Sequence, residues 1–134
     1  MTQPPAAAGA FGSVRVDAFT VDASAARDDR ERARADKLAA ELTSYVHTRL
    51  GKTYHGSGAT LVVGGHITSY RAHWVGNGTV TVEVVFSDGA GQVLARGTID
   101  GNPNAGGGIA SCTTCEELGD GLTDFARDRF PAAR

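Results

Sequence analysis

Leu61-Val62-Val63-Gly64-Gly65-His66-Ile67-Thr68-Ser69-Tyr70-Arg71, then Asn77-Gly78, then Thr79-Val80-Thr81-Val82-Glu83-Val84-Val85-Phe86-Ser87 is the passage on which the fold turns. A strand sends successive side chains to opposite faces, so the first run sets Leu61, Val63 and Ile67 against Val62, His66, Thr68 and Tyr70. The second run alternates with Val80, Val82, Val84 and Phe86 inward and Thr79, Thr81, Glu83 and Ser87 outward; only Val85 interrupts the polar row. Asn-Gly takes the positive φ angles of a tight hairpin, which predicts an antiparallel pair closed at Asn77-Gly78. Asp88-Gly89-Ala90-Gly91 reads as a second turn, after which Gln92 to Asp100 returns with Val93, Ala95 and Ile99 opposite in facing to Leu94, Arg96 and Thr98. Together these predict an antiparallel meander.

Upstream, Ser13 to Val21 alternates Val14, Val16 and Ala18 against Arg15, Asp17 and Phe19 and reads as an opening strand. From about Ala26 to Leu50 the apolar period becomes helical, through Ala35, Leu38, Leu42, Val46 and Leu50, and Gly51 is a natural stop. Downstream, Gly101 to Gly108 is a loop by composition. A last helix starts near Ser111 to Thr114, where Thr113 and Glu116 match a capping box; it carries Leu118, Leu122, Phe125, Ala126 and Phe130 and ends at Pro131. The order β-α-β-β-β-α, with one apolar stripe per helix, predicts an α+β two-layer sandwich: a mainly antiparallel four-stranded sheet with both helices on one face. Residues 1–12, rich in Pro, Ala and Gly, read as a flexible leader to a single domain over 13–131.

With 134 residues the chain can bury a core without metal or disulfide staples. A net charge of −2 with acids and bases interleaved argues against nucleic acid or another polyanion as partner. The only basic stripe, Arg27, Arg30, Arg34 and Lys37, is interrupted by Asp28, Asp29, Glu31 and Asp36. The start of the chain has neither the basic end nor the apolar run of a secretory signal, and no apolar run of membrane-spanning length is present.

Candidate chemistry is sparse. Cys112-Thr113-Thr114-Cys115 permits a local disulfide, which points to an oxidising compartment; its position at a helix start also admits a small thiol-redox protein with Cys112 as nucleophile. A thioredoxin fold would require further strands after the motif, so the structural disulfide is the expectation. The glycine loop lacks the lysine and hydroxyl of a phosphate-binding loop. His47, His55, His66 and His73 have no spacing that implies a triad or a zinc site. Neither a catalytic residue, a metal nor a cofactor is therefore expected.

The run Leu61 to Arg71, Gly76-Asn77-Gly78, the alternating strand ending at Asp88, Leu94-Ala95-Arg96 and the glycine loop together resemble an uncharacterised domain of bacterial cell-envelope lipoproteins, over Ala33 to Phe130. The resemblance implies residence in the periplasm or at the outer membrane and a role in assembly or association, with no catalytic residue to carry over. It would reach the membrane only through a lipid anchor that this chain lacks, since Cys112 and Cys115 are not placed for lipidation. In the predicted sandwich one sheet face is uncovered, and Phe19, Val21, His66, Tyr70, Val85, Leu94 and Arg96 fall on it. That surface is the expected contact for an envelope partner or for self-association. A further possibility is a carrier holding a small apolar molecule between sheet and helices.

Overall fold

The structure, a computed structural model, describes residues 10–71, 78–102 and 113–132. Its elements are β1 (Ser13–Val16), β2 (Thr20–Val21), α1 (Asp29–Gly51), β3 (Thr60–Arg71), β4 (Thr79–Asp88), β5 (Val93–Gly101) and α2 (Thr113–Arg129). β3, β4 and β5 form the expected antiparallel meander. Its second turn is held by Asp88, whose backbone carbonyl accepts from the Gly91 N–H and whose carboxylate accepts from the N–H groups of Ala90 and Gln92.

The sheet departs from the expectation in being mixed and five-stranded. β1 and β2 both pair with β3, and both run parallel to it. The reason lies in the connection: a helix between two neighbouring strands carries the chain back to the end it started from, which makes the strands parallel. α1 is that crossover. The opening strand is also broken in two, so the order is β-β-α-β-β-β-α.

α1 begins where the Asp28 side chain accepts the Glu31 N–H, an N-cap two residues inside the predicted start. Leu38, Leu42, Val46 and Leu50 of α1 and Leu118, Leu122, Ala126 and Phe130 of α2 are buried with Val80, Val82, Val84 and Phe86 of β4 in one core. Phe86 lies 5.3 Å from each of the Phe125 and Phe130 rings, which sets α2 on this face; α1 packs beside it, against α2 and β3 in the same core. Phe11 belongs to this core as well. It is 3% exposed, its ring meets Phe130 edge-on at 5.9 Å, and its N–H donates to the Pro131 carbonyl. Phe11 and Gly12, read as the end of the leader, are part of the fold.

Three register irregularities move side chains from the face the alternation gave them. Between Val16↔Val63 and Thr20↔His66 the first strand spends three residues where β3 spends two, and Phe19 turns inward. Between Ile67↔Val82 and Ser69↔Thr81 Thr68 is the extra residue, and Tyr70 turns inward. Between Phe86↔Ala95 and Ser87↔Val93 Leu94 is extra. Phe19, Tyr70 and Leu94, expected on the uncovered face, are instead 5%, 5% and 3% exposed within the core. A single bulge reverses the facing of the residues beyond it, which strict alternation cannot register.

The two helices approach closely at Gly119, where a Cβ would lie 2.3 Å from Cδ1 of Tyr45; the Tyr45 hydroxyl is fixed by donating to Asp120 at 2.7 Å. At Gly121, two residues further along the helix, a Cβ would meet nothing within 4 Å. Gly119→Ala is therefore expected to destabilise by about 1–3 kcal/mol through overpacking. Gly121→Ala is expected to stabilise by about 0.5–1 kcal/mol through helix propensity. Urea unfolding of the two variants beside the parent checks both signs.

Candidate functional site

The face of the sheet away from the helices carries Val62, Gly64 and His66 from β3, Glu83, Val85 and Ser87 from β4, and Arg96 and Thr98 from β5. At its centre His66 stands opposite Glu83 in the β3–β4 register, and Thr20 stands on its other side in β2. Directly opposed residues on one face are close enough for their side chains to interact. His66 Nε2 lies 3.2 Å from Glu83 Oε1. On the other flank the chain leaves β2 with the Asp22 N–H donating to the Ile67 carbonyl, and this brings Asp22 Oδ1 to 2.6 Å from His66 Nδ1. Arg96 Nη1 is 3.8 Å from the same Glu83 oxygen. Asp22, His66, Glu83 and Arg96 thus form a polar row across the sheet.

Beside this row a groove of about 300 Å³ opens over Gly64, bounded by Asp17, Ala18, Val62, His66, Val85 and Ser87. Its shape depends on the glycine pair. Gly64 leaves the outer side open, while Gly65 faces the core, where a Cβ would fall 2.3 Å from the Glu83 carbonyl oxygen and 2.9 Å from the Phe19 ring. With Phe19 drawn under the sheet, Asp17 and Ala18 are left as an exposed rim.

Both imidazole nitrogens face carboxylates, and both can donate only when the ring is protonated. The hydrogen bond to Asp22, then that to Glu83, accordingly raises the His66 pKa above its ordinary value of 6.5, with partial burial opposing. The ring is about one-third exposed, so the row is in contact with solvent.

Of the residues expected at a partner surface, His66, Val85 and Arg96 lie together on this face. Val21 is half-buried against the core, and Phe19, Tyr70 and Leu94 lie within the core. Asp22 and Glu83 are not singled out by the sequence. Asp22 comes just after the stretch read as the opening strand, and Glu83 is one member of a polar row. Their joint signal is the register itself. A two-residue turn at Asn77-Gly78 would set Gly76 opposite Thr79 and His66 opposite Gly89, whereas Arg71 pairs with Thr79 and His66 with Glu83. Asn77 itself lies outside the described residues.

Cys112 lies outside the described residues, and with it the expected pairing to Cys115; Cys115 is buried, 1% exposed. His73 also lies outside them, and His47 and His55 are exposed and apart from the row. Among the described residues no group of three His, Cys, Asp or Glu side chains could hold a metal ion, and no helix is long and apolar enough to cross a membrane.

A dodecamer of PelC from Paraburkholderia phytofirmans superposes with a TM-score of 0.54 at 19% identity, over 99% of this chain and 95% of that one. That likeness shows a shared fold. A second PelC dodecamer from the same organism gives 0.41 at 16% identity, covering 99% of this chain and 96% of the other. A minor lipoprotein from Acinetobacter baumannii gives 0.47 at 12% identity, over 94% and 98%. No protein-family model matches the chain, and no curated protein matches it.

Because the folded His66 pKa is raised, the stability its protonation contributes is complete below 6.5 and is lost as pH rises through the folded value. The unfolding free energy, measured by urea titration at stepped pH above 6.5, is expected to decline over that range in the parent protein. In His66→Gln this component of the slope should vanish.

Proposed function

We propose that this chain is a non-enzymatic domain of the bacterial cell envelope, in the periplasm or at the outer membrane, that acts by associating with further copies of itself or with an envelope protein. The observation that carries this reading is the asymmetry of the two layers. Both helices cover one sheet face, and the other presents Val85, the groove over Gly64 and the His66 row to solvent. The shared fold with PelC, which forms a dodecamer, supports self-association as the form this takes. The envelope setting rests on the resemblance to lipoprotein domains. The non-enzymatic reading is supported by His66: a general base needs one ring nitrogen facing a substrate or nucleophile, and here a carboxylate occupies each side.

One observation favours a second reading, the apolar carrier. Between β5 and α2 a groove of about 230 Å³ is lined by Val84, Phe86, Ile99, Leu122 and Phe125, with Gly97 and Gly121 at its sides. Gly121→Leu would fill it, and loss of binding of an apolar fluorescent probe in that variant would support the carrier.

Association is checked by sedimentation over a concentration series and by capture from solubilised envelope fractions. Val85→Glu is expected to weaken the association at least about tenfold, as a charge at the centre of a contact does, while Arg34→Glu on the solvent side of α1 leaves it unchanged. A chain that stays monomeric and captures nothing, or a Val85→Glu variant that associates like the parent, would refute the reading.

A further inference from the structure

Glu83 Oε1 has two cationic neighbours, His66 Nε2 at 3.2 Å and Arg96 Nη1 at 3.8 Å. It stands on the middle strand of the meander, with one neighbour on β3 and the other on β5. His66 is held on its far side by Asp22, at the shorter distance of 2.6 Å. A neutral imidazole keeps one N–H, and the closer contact at Nδ1 retains it, so the nitrogen left bare is the one that faces Glu83. A carboxylate oxygen opposite a lone pair is repelled, and the guanidinium on its other side, always charged, is the available alternative. Arg96 is 52% exposed in its side chain and free to close the remaining distance.

We propose that Glu83 is a proton-controlled switch, paired with His66 when the imidazole is charged and transferred to Arg96 when it is neutral. In the first state Asp22, His66 and Glu83 clamp β2, β3 and β4 together and the Arg96 guanidinium is left exposed on the outer face. In the second the clamp ends at His66 and Arg96 is engaged by Glu83 across β4 and β5. Among the described residues the other charged groups near the row are Arg15 of β1 and Asp17 just past it, paired with each other at 3.0 Å, Asp100 of β5, which accepts from the Thr81 hydroxyl at 2.8 Å, and Arg32 of α1, whose Nη2 donates to the Asp22 and Ala23 carbonyls at 3.1 and 2.7 Å. The apolar stripes of both helices lie on the opposite face. The raised His66 pKa sets the transition above the ordinary histidine range. Every group in the switch belongs to one chain, so it stands apart from the association reading.

Nuclear magnetic resonance on the dilute, full chain tests it. The Glu83 side-chain carboxyl carbon and the Arg96 Nε–H should each show a transition at the His66 midpoint, far above any carboxylate's own titration, with Arg96 Nε–H protection, taken against its base-catalysed intrinsic exchange, rising on the alkaline side. In Arg96→Gln the neutral-histidine state loses the guanidinium that takes up the Glu83 carboxylate. The His66 midpoint should then move up and the Glu83 transition shrink, while Arg15→Gln leaves both in place. Glu83 and Arg96 signals that stay flat through the His66 titration would overturn the switch. So would a His66 midpoint in Arg96→Gln that is unchanged or lowered. Arg96 is exposed, so that variant folds whether or not the proposal holds.

Discussion

The ring of Phe19 occupies the space beneath the sheet that a side chain at position 65 would need, and the arrangement of the first half of the chain depends on that contact. To reach it the chain takes one extra residue between β1 and β2, and the Phe19 N–H, removed from the ladder, donates instead to the Thr43 hydroxyl of α1 at 2.9 Å. Thr43 in turn donates to the Ala39 carbonyl within the helix. The break in the strand is thus offset by a hydrogen bond that also fixes α1 over β2. A buried aromatic stabilises by several kcal/mol, roughly 3–5 by truncation, far more than the one or two ladder bonds lost to the bulge.

The consequences run outward to the other face. Drawing Phe19 inward leaves Asp17 and Ala18 as a rim, which with Gly64 makes the groove. The same extra residue delivers Asp22 beside His66, so the polar row exists because an aromatic side chain was buried on the opposite side of the sheet. Core and surface are here two readings of one backbone detour.

Much of this architecture is legible in the sequence. Val80, Val82, Val84 and Phe86 announce the inner face of the central strand without ambiguity, and Leu38, Leu42, Val46 and Leu50 the buried stripe of the first helix. Facing is lost wherever a strand carries one residue too many. Phe19, Tyr70 and Leu94 each lie at or just past such a step, and alternation puts each on the wrong side for that reason alone. Composition carries little trace of a bulge, because the residue that is extra need not be Gly or Pro; at these steps it is drawn from Asp17, Ala18, Thr68 and Leu94. Parallel pairing of β1 is hidden differently, since it arises from a crossover helix and not from anything in the strand. Half of the polar row is visible as His66 and Arg96, while Asp22 and Glu83 require a register that the Asn77-Gly78 turn signal misplaces.

The contact of Phe11 with the last helix has a topological consequence. Phe11 bridges to Ala132 and hydrogen-bonds Pro131, so the two described ends of the domain lie side by side. Between Phe11 and Ala132 the backbone is close to a closed ring. Joining its ends with a short linker and opening it in the Asp88–Gln92 turn would alter connectivity while keeping all of the strand pairings, because neighbouring termini are what make a circular permutant tolerable. By the same geometry, whatever is tethered to either end leaves the domain from a single point, beside Phe130 and away from the His66 row.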